Sequence, residues 1–332
     1  PHRMMEIHCM EFGSVPGVEK PVSRIVLGTM IVTTEEKDRS FRLLDDALVL
    51  GCTTLDTAHV YAGGNSERAI GQWMAERGNR EKVVILTKGA HPNADRRRVT
   101  PFDIASDLAD SLARLRTEYV DIYLLHRDDP AQPVGPIVEA LNEHRAAGRI
   151  HAFGGSNWTH HRIAEANEYA EAHGLVPFVV SSPNFSLAAQ VEDPWGSGSV
   201  TLSGPQHADA RAWYAGNQIP VFAWSSLARG FFSGRFTRKT YDAFKDSLDG
   251  ACRRAYCHEE NLERLDRVET LAREKHLTIP QIALAYVMSQ PMNVFACVGA
   301  ADASELAACV EASTVRLTAA EIAWLDLRSE SR

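Results

Sequence analysis

Short, apolar, β-branched runs recur along this chain, each followed by a longer amphipathic stretch. This alternation limits the fold more than any other feature. The runs are Arg24-Ile25-Val26-Leu27, Thr53-Thr54-Leu55, Val83-Val84-Ile85-Leu86, Val120-Asp121-Ile122-Tyr123-Leu124-Leu125, Ala152-Phe153-Gly154, Phe178-Val179-Val180, Val221-Phe222-Ala223-Trp224 and Val294-Phe295-Ala296-Cys297-Val298. Near-continuous apolar character suits strands covered on both faces, as in a parallel sheet. Between them, Asp38 to Leu50 places Phe41, Leu44, Ala47 and Leu48 at helical spacing. Ser66 to Arg77 follows, then Pro101 to Leu115 behind Thr100, a good N-cap with proline at the first helical position. Pro136 to Ala147 stops at Gly148, a plausible C-cap. Further helices are expected at 159–173, 206–217, 262–276, 280–290, 302–312 and 319–327.

Eight strand runs, each leading into helix, is the count of a (β/α)8 TIM barrel, an α/β fold. A doubly wound sheet is the rival, and would be favoured by a G-x-G-x-x-G turn after an early strand. Gly63-Gly64 leads instead into Asn65-Ser66-Glu67, without the later glycine. No linker or low-complexity tract splits the sequence, so one barrel domain over 1–332 is expected. Residues 1–20 read as an N-terminal extension or short hairpin, with turn residues at Gly13 and Pro16-Gly17. Loops at about 186–205 and 228–260 are long, and in this architecture such loops cover the C-terminal face.

Composition narrows the function classes. The 332 residues are 45% hydrophobic and 23% charged with a net charge of -8, a balance that disfavours nucleic acid as a partner. The densest basic run, Asp95-Arg96-Arg97-Arg98, reads as a solvated loop. Cys9, Cys52, Cys252, Cys257, Cys297 and Cys309 are scattered without a C-x-x-C pair, so neither a disulfide framework nor a zinc site is expected. A reducing cytoplasm fits that usage best. No stretch is long and apolar enough to span a bilayer, and the first residues lack the apolar run of a signal peptide. Nothing in the sequence sets an oligomeric state.

In a (β/α)8 barrel the active site lies at the C-terminal ends of the strands. The second run ends in Asp56, the third in Lys88 and the fourth in His126, with Tyr61 five residues past Asp56. Carboxylate, ammonium, phenol and imidazole would therefore converge on one mouth. A tyrosine with pKa near 10 is a poor acid-base catalyst at neutral pH, and a nearby ammonium is expected to lower that value. Imidazole can hydrogen-bond a substrate oxygen, and a carbonyl receiving hydride then takes a proton from Tyr61. None of these groups supplies hydride, so a cofactor must.

At these residues the sequence resembles the aldo-keto reductase family. The likeness is carried by Leu55-Asp56-Thr57-Ala58, Tyr61 and Asn65-Ser66-Glu67, by Leu86-Thr87-Lys88, and by Asp121-Ile122-Tyr123-Leu124-Leu125-His126. It continues at Gly154-Gly155-Ser156-Asn157, Trp224-Ser225-Ser226-Leu227, Gly230 and Val298-Gly299-Ala300, spanning about 22–325. The resemblance implies a (β/α)8 barrel that binds NADP(H) and reduces an aldehyde or ketone reversibly, sugar-like and aryl carbonyls included. It implies Asp56, Tyr61, Lys88 and His126 as a catalytic tetrad. It also implies Ser156 and Asn157 on the nicotinamide carboxamide, with Asn184 where relatives carry glutamine, and Trp224 stacked on the nicotinamide ring. Further cofactor contacts are expected at Gly28, Thr29, Ser225, Leu227, Arg229, Gly299, Ala301, Asp302 and Glu305.

One departure concerns the cofactor. Many relatives place Lys or Arg just after the eighth strand to grip the 2′-phosphate, whereas this chain reads Gly299-Ala300-Ala301-Asp302-Ala303-Ser304-Glu305. A phosphate beside two carboxylates is repelled, while a ribose hydroxyl can donate to one, so use of NAD(H) is expected unless Arg229 or Arg235 reaches over. The N-terminus of helix 302–312 is also a place to cradle phosphate. For the substrate, Ile31, His91, Arg127, Trp158, Trp195, Phe231 and Phe232 are the pocket candidates, a lining suited to a small carbonyl or alcohol. A non-catalytic, cofactor-sensing regulatory or binding subunit on the same barrel is the alternative. A metal-dependent barrel hydrolase or lyase is a weaker one, with only His126 and Asp56 as an obvious ligand pair.

Overall fold

The computed structural model describes residues 10–196 and 198–332; Cys9 lies outside the described residues. Eight parallel strands close into a barrel in chain order: β3 (Ile25–Gly28), β4 (Thr54–Asp56), β5 (Val84–Gly89), β6 (Val120–Leu125), β7 (Ile150–Ser156), β8 (Val180–Ser182), β9 (Val221–Ala223) and β10 (Val294–Val298), which pairs back to β3. Ahead of them β1 (Phe12–Val15) and β2 (Val18–Ser23) form an antiparallel hairpin that turns through Gly17 at φ 88°.

The period-2 geometry of strands sorts the apolar runs into two cores. Val26, Val84, Leu86, Ile122, Leu124, Val180, Phe222 and Phe295 fill the barrel interior. Their sequence neighbours Ile25, Leu27, Ile85, Tyr123 and Leu125 join the outer layer, against the helices. Val15, Val18 and Val22 of the hairpin belong to the inner set, so the hairpin plugs the barrel from its N-terminal end. Lys20 pins that plug, with Nζ 3.0 Å from Asp121 Oδ1 and donating to Val83 O at 3.0 Å. Gly154 is required for closure, because a Cβ there would lie 1.7 Å from Val180 O on the next strand.

The outer layer is built from α1 (Lys37–Val49), α2 (Asn65–Arg77), α3 (Pro101–Leu115), α4 (Val134–Ala146), α5 (His160–Ala172), α6 (Ala208–Asn217), α7 (Tyr241–Phe244), α8 (Gly250–Tyr256), α9 (Glu259–Lys275), α10 (Ile279–Met288), α11 (Ala303–Ala312) and α12 (Ala319–Leu325). Thr100 caps α3 as the sequence suggests, its side chain accepting from Asp103 N. Four readings shift. The sixth run pairs as β8 two residues later, so Phe178 becomes a buried anchor ahead of the strand. The 228–260 segment is no bare loop: it folds into 3-10 turns, α7 and α8. Helix α9 begins at Glu259, where two first-turn acids favour a helix start. The arginine run is not a solvated loop: Arg96 and Arg98 both pair with Asp103, Arg98 also grips Asp107, and Arg97 donates to Asp128 O. No described helix is long and apolar enough to cross a membrane.

Candidate active site

Parallel strands end together, so residues at equivalent ends share one mouth. Asp56 closes β4, Lys88 lies one residue before the end of β5, and His126 directly follows β6. Tyr61 opens the 3-10 turn Tyr61–Gly64 on the loop above β4. The Lys88 ammonium spends all three donors here: on Asp56 Oδ1 at 2.5 Å, Thr57 O at 2.9 Å and the Tyr61 hydroxyl at 3.3 Å. The Tyr61 and His126 rings meet edge-on with centroids 5.8 Å apart, and His91 meets His126 the same way at 4.8 Å. All four expected residues are therefore brought together, around an ion pair only 3% and 7% exposed.

The electrostatics differ from the sequence expectation at one point. Burial raises the Tyr61 phenol above its ordinary value, and the opposing pull of Lys88 does not overcome it. The phenol is thus held protonated rather than made acidic. Burial alone would lower Lys88, but the Asp56 carboxylate beside it outweighs that and keeps the ammonium charged. For His126 burial is the largest cause, with Lys88 adding to it, and together they push its pKa well below the ordinary imidazole range. His126 is neutral at physiological pH, and its Nδ1 is buried without a partner among the described residues. That leaves Nε2 as the nitrogen available to a ligand.

A second ring of support is invisible in sequence spacing. Buried Glu67, on α2, accepts from Thr87 Oγ1 at 2.6 Å and pairs with Arg114 at 3.2 Å, so the residue before Lys88 is fixed from behind. Backbone strain marks the same face. Of ten non-glycine residues with positive φ among the described residues, Ala62, Ala90, Asn157, Ser225, Ala228 and Arg229 all sit in loops above strand ends. Left-handed non-glycine residues cost free energy and gather where function fixes the backbone.

The expected cofactor residues divide. Trp224 follows β9, partly exposed, with its indole Nε1 buried and unpartnered among the described residues. Ser225, Leu227 and exposed Arg229 follow on the strained turn, and Gly299 at the end of β10 has open space where a Cβ would project. Gly28 lines the top of β3. Thr29, however, is fully buried and spends its hydroxyl on Asp56 O and Ser66 Oγ. Ser156 donates to Ser182 O, and Asn157 donates to His126 O and Ser156 Oγ while its Oδ1 accepts from Val200 N. Asn184 is a correction. It is fully buried, donates to Trp224 O and Tyr256 Oη, and accepts from Thr201 Oγ1, so it staples the 186–205 segment and has no free polar atom for a cofactor.

At the start of α11 the anion cradle is already taken. Asp302 Oδ1 accepts from Ser304 N and Glu305 N, and Glu305 Oε2 accepts from Ala301 N. The arginines that stood to offset these acids are engaged: Arg229 with Asp249 at 2.8 Å and Arg235 with Glu305 itself at 3.4 Å.

Three pocket candidates fall away. Trp158 is fully buried, donates to Arg127 O at 3.2 Å and packs on Phe178, because Gly155 leaves room for its ring behind β7. Phe231 is fully buried in a cluster with Phe232 and Phe236, so Phe232 drops out with it. Ile31 (43% exposed), His91, Arg127 and Trp195 stay at the mouth, with Trp195 edge-on to Trp224 at 5.0 Å. Met30 and Val60, 56% and 36% exposed on the loops above β3 and β4, were missed; apolar residues just past a strand end were the available signal. Among the described residues no three His, Cys, Asp or Glu side chains cluster to hold a metal.

The aldo/keto reductase family model matches residues 24–328, and the chain belongs to that family. It is 29% identical to the aldo-keto reductase YhdN of Bacillus subtilis over 91% of this chain and 88% of the relative. It is 28% identical to the oxidoreductase YrpG of the same organism, over 89% of each. A norsolorinic acid reductase of Aspergillus flavus is 26% identical, over 92% of this chain and 77% of the relative. The fold is shared with a glycerol dehydrogenase from Gluconobacter oxydans, TM-score 0.74 at 23% identity over 97% of this chain and 95% of that one. A thermostable aldo-keto reductase solved with the inhibitor epalrestat gives 0.72 at 22% identity, over 96% and 100%.

Proposed function

We propose that this protein reduces an aldehyde or ketone to the alcohol, reversibly, with a nicotinamide cofactor and with Tyr61 as the proton donor. The observation that carries this reading is the buried chain Asp56–Lys88–Tyr61, at 2.5 and 3.3 Å, beside a neutral His126. When bound, the cofactor supplies the hydride. His126 Nε2 donates to the substrate oxygen and orients it, as a neutral imidazole can. As negative charge grows on that oxygen, the Tyr61 hydroxyl gives up its proton to it. The raised pKa of the phenol keeps the proton in place until then, and Lys88 stabilises the phenolate that remains. Asp56 holds Lys88 charged and aimed.

The residues above β9 and β10 fit a nicotinamide ring and a pyrophosphate: Trp224 offers a face, and Gly299 offers open space. They do not fit a 2′-phosphate, because the amides at the start of α11 are taken by Asp302 and Glu305. The chain therefore discriminates less for NADP(H), the family norm, and accepts NAD(H), with Arg235, which reaches Glu305 at 3.4 Å, as the cation that offsets the acids. The test is a cofactor-oxidation screen over aliphatic, aromatic and sugar carbonyls, with NADH and NADPH in parallel and Tyr61→Phe as control. Turnover by the parent and not by Tyr61→Phe is the expected result. Tight cofactor binding with no turnover anywhere would favour a cofactor-sensing subunit instead.

A further inference from the structure

Charged side chains around the barrel mouth come in satisfied groups. Lys88 has Asp56; Arg98 has Asp103 and Asp107; Arg114 has Glu67; Arg162 has Asp128 and Glu165. Arg127 is different. Among the described residues no carboxylate lies within the 4.0 Å of an ion pair from its guanidinium. Its one polar side-chain contact is a stretched bond from Nη1 to His126 O at 3.5 Å. Yet the residue is partly buried, and burial lowers its pKa. A half-enclosed cation with five N–H donors and almost no acceptor is a costly arrangement for a side chain that serves only the fold.

Its position gives the cation a use. Arg127 follows His126 directly, and its backbone is fixed where Trp158 Nε1 donates to its carbonyl at 3.2 Å. Its guanidinium turns back to His126 O at the strand end, which puts it on the mouth side of the barrel, where its charge is felt at His91 and His126. The acid nearest in effect is Asp193, whose oxygens accept from Trp195 N and Ser199 N at 3.1 Å and so shape their own loop. Lys88 is neutralised by Asp56, and both flanking imidazoles are pushed toward neutrality. Among the described residues two cations on the loops above β5 and β6 have no carboxylate partner: Arg97, which donates to Asp128 O at 2.6 Å, and Arg127, which lies next to His126. Elsewhere on the same strand-end face are apolar surfaces, exposed Met30 and Ile31 above β3 and the ring of Trp195 edge-on to Trp224.

We infer that Arg127 is a substrate-binding residue that grips a carboxylate or similar oxyanion carried by the substrate, so that the preferred class is an anionic aldehyde or ketone with an apolar body. The inference rests on the reductase reading above. The anionic group takes no part in the chemistry: one hydride and one proton add across the carbonyl, and the oxyanion stays bound to the guanidinium by paired N–H donors, a geometry that arginine supplies and lysine does not.

The experiment compares 4-carboxybenzaldehyde with its methyl ester on the full chain, with saturating cofactor. The acid should be preferred in kcat/KM by about 10- to 100-fold, the worth of a charge-assisted bidentate contact. Arg127→Gln should lose that preference, its kcat/KM falling at least about tenfold more on the acid than on the ester, with melting temperature near the parent's. Arg127→Lys should recover part of it. Equal turnover of acid and ester by the parent, or an equal loss on both in Arg127→Gln, overturns the inference and leaves the reductase reading standing. No turnover of either compound counts against that reading itself. Calorimetry with 4-(hydroxymethyl)benzoate against benzyl alcohol then decides the anion site: binding of the acid that disappears in Arg127→Gln supports it, while binding that persists, or is absent from the parent, overturns it.

Discussion

The two ends of the site are built on opposite principles. The proton-handling end rests on strand termini: Asp56, Lys88 and His126 are 5%, 2% and 8% exposed, and each is held by neighbours on adjacent strands. The far cofactor end rests on surface turns and exposed ion pairs, Arg229 with Asp249 and Arg235 with Glu305, whose side chains are between 35% and 64% exposed. Buried charges are strongly coupled and costly to change, whereas exposed pairs are screened and contribute little. On the proposed function, chemistry is thus fixed by the barrel, and cofactor choice is left to parts that can change without unfolding it.

Substitutions test that contrast, beginning with the largest effect. Tyr61→Phe should lower kcat by about 10²- to 10⁴-fold, the usual worth of a positioned acid, while cofactor affinity by fluorescence titration stays within about threefold. Near-normal kcat would remove Tyr61 from the mechanism. Lys88→Met leaves Asp56 buried and unpaired, and chemical denaturation should show a loss of about 3–5 kcal/mol along with lost turnover. Adding Asp56→Leu should restore part of the stability and none of the activity. If the double variant is no more stable than the single one, the buried charge is not what destabilises it.

At the cofactor end, Asp302→Ala with Glu305→Gln should move the NADPH-to-NADH ratio of kcat/KM upward by about tenfold, as repulsion and competition for the α11 amides are relieved. The lost cap should cost about 1 kcal/mol of stability. A parent enzyme already strongly selective for NADPH would contradict this view of the acids. Arg229→Ala, which breaks an exposed pair, should change stability by less than about 1 kcal/mol. The smallest expected effect is on pH dependence. His126 titrates well below its ordinary value and Tyr61 above its own, so reduction should be flat between about pH 6 and 8 and fall only as alkaline pH strips the phenol. Stability has its own sign: below about pH 6.5 unfolded His126 binds a proton that the folded form refuses, so this residue lowers stability as pH falls. A bell centred near neutrality in kcat would show a different acid at work.

Much of this was legible in the sequence, for identifiable reasons. The runs ending at Asp56, Lys88 and His126 carry both their strand character and their register, because a buried strand writes its burial along its length. The hairpin around Gly17 was marked by its turn residues. What failed depended on distant partners. Asn184 is used up by Thr201, Trp224 and Tyr256, none of which its own neighbourhood reveals. Trp158 and Phe231 look the same in sequence whether they face a ligand or a helix. The sign of the Tyr61 shift was misjudged because a neighbouring cation is visible in a motif, whereas the depth of burial is not. The isolation of Arg127 is of the same kind, a property of what is missing around it.

The N-terminal hairpin has a bearing on the opposite end of the molecule. Val15, Val18 and Val22 share one packed interior with Leu86, Leu124 and Cys297, and the charges of Asp56 and Lys88 are felt at the Cys297 sulfur. Withdrawing the hairpin would bring water one layer nearer to the underside of the lysine, with the packed strand side chains still between them. A wetter interior weakens the attractions above it, so a segment at the foot of the barrel adds to the dryness on which the proposed proton transfer at its crown depends.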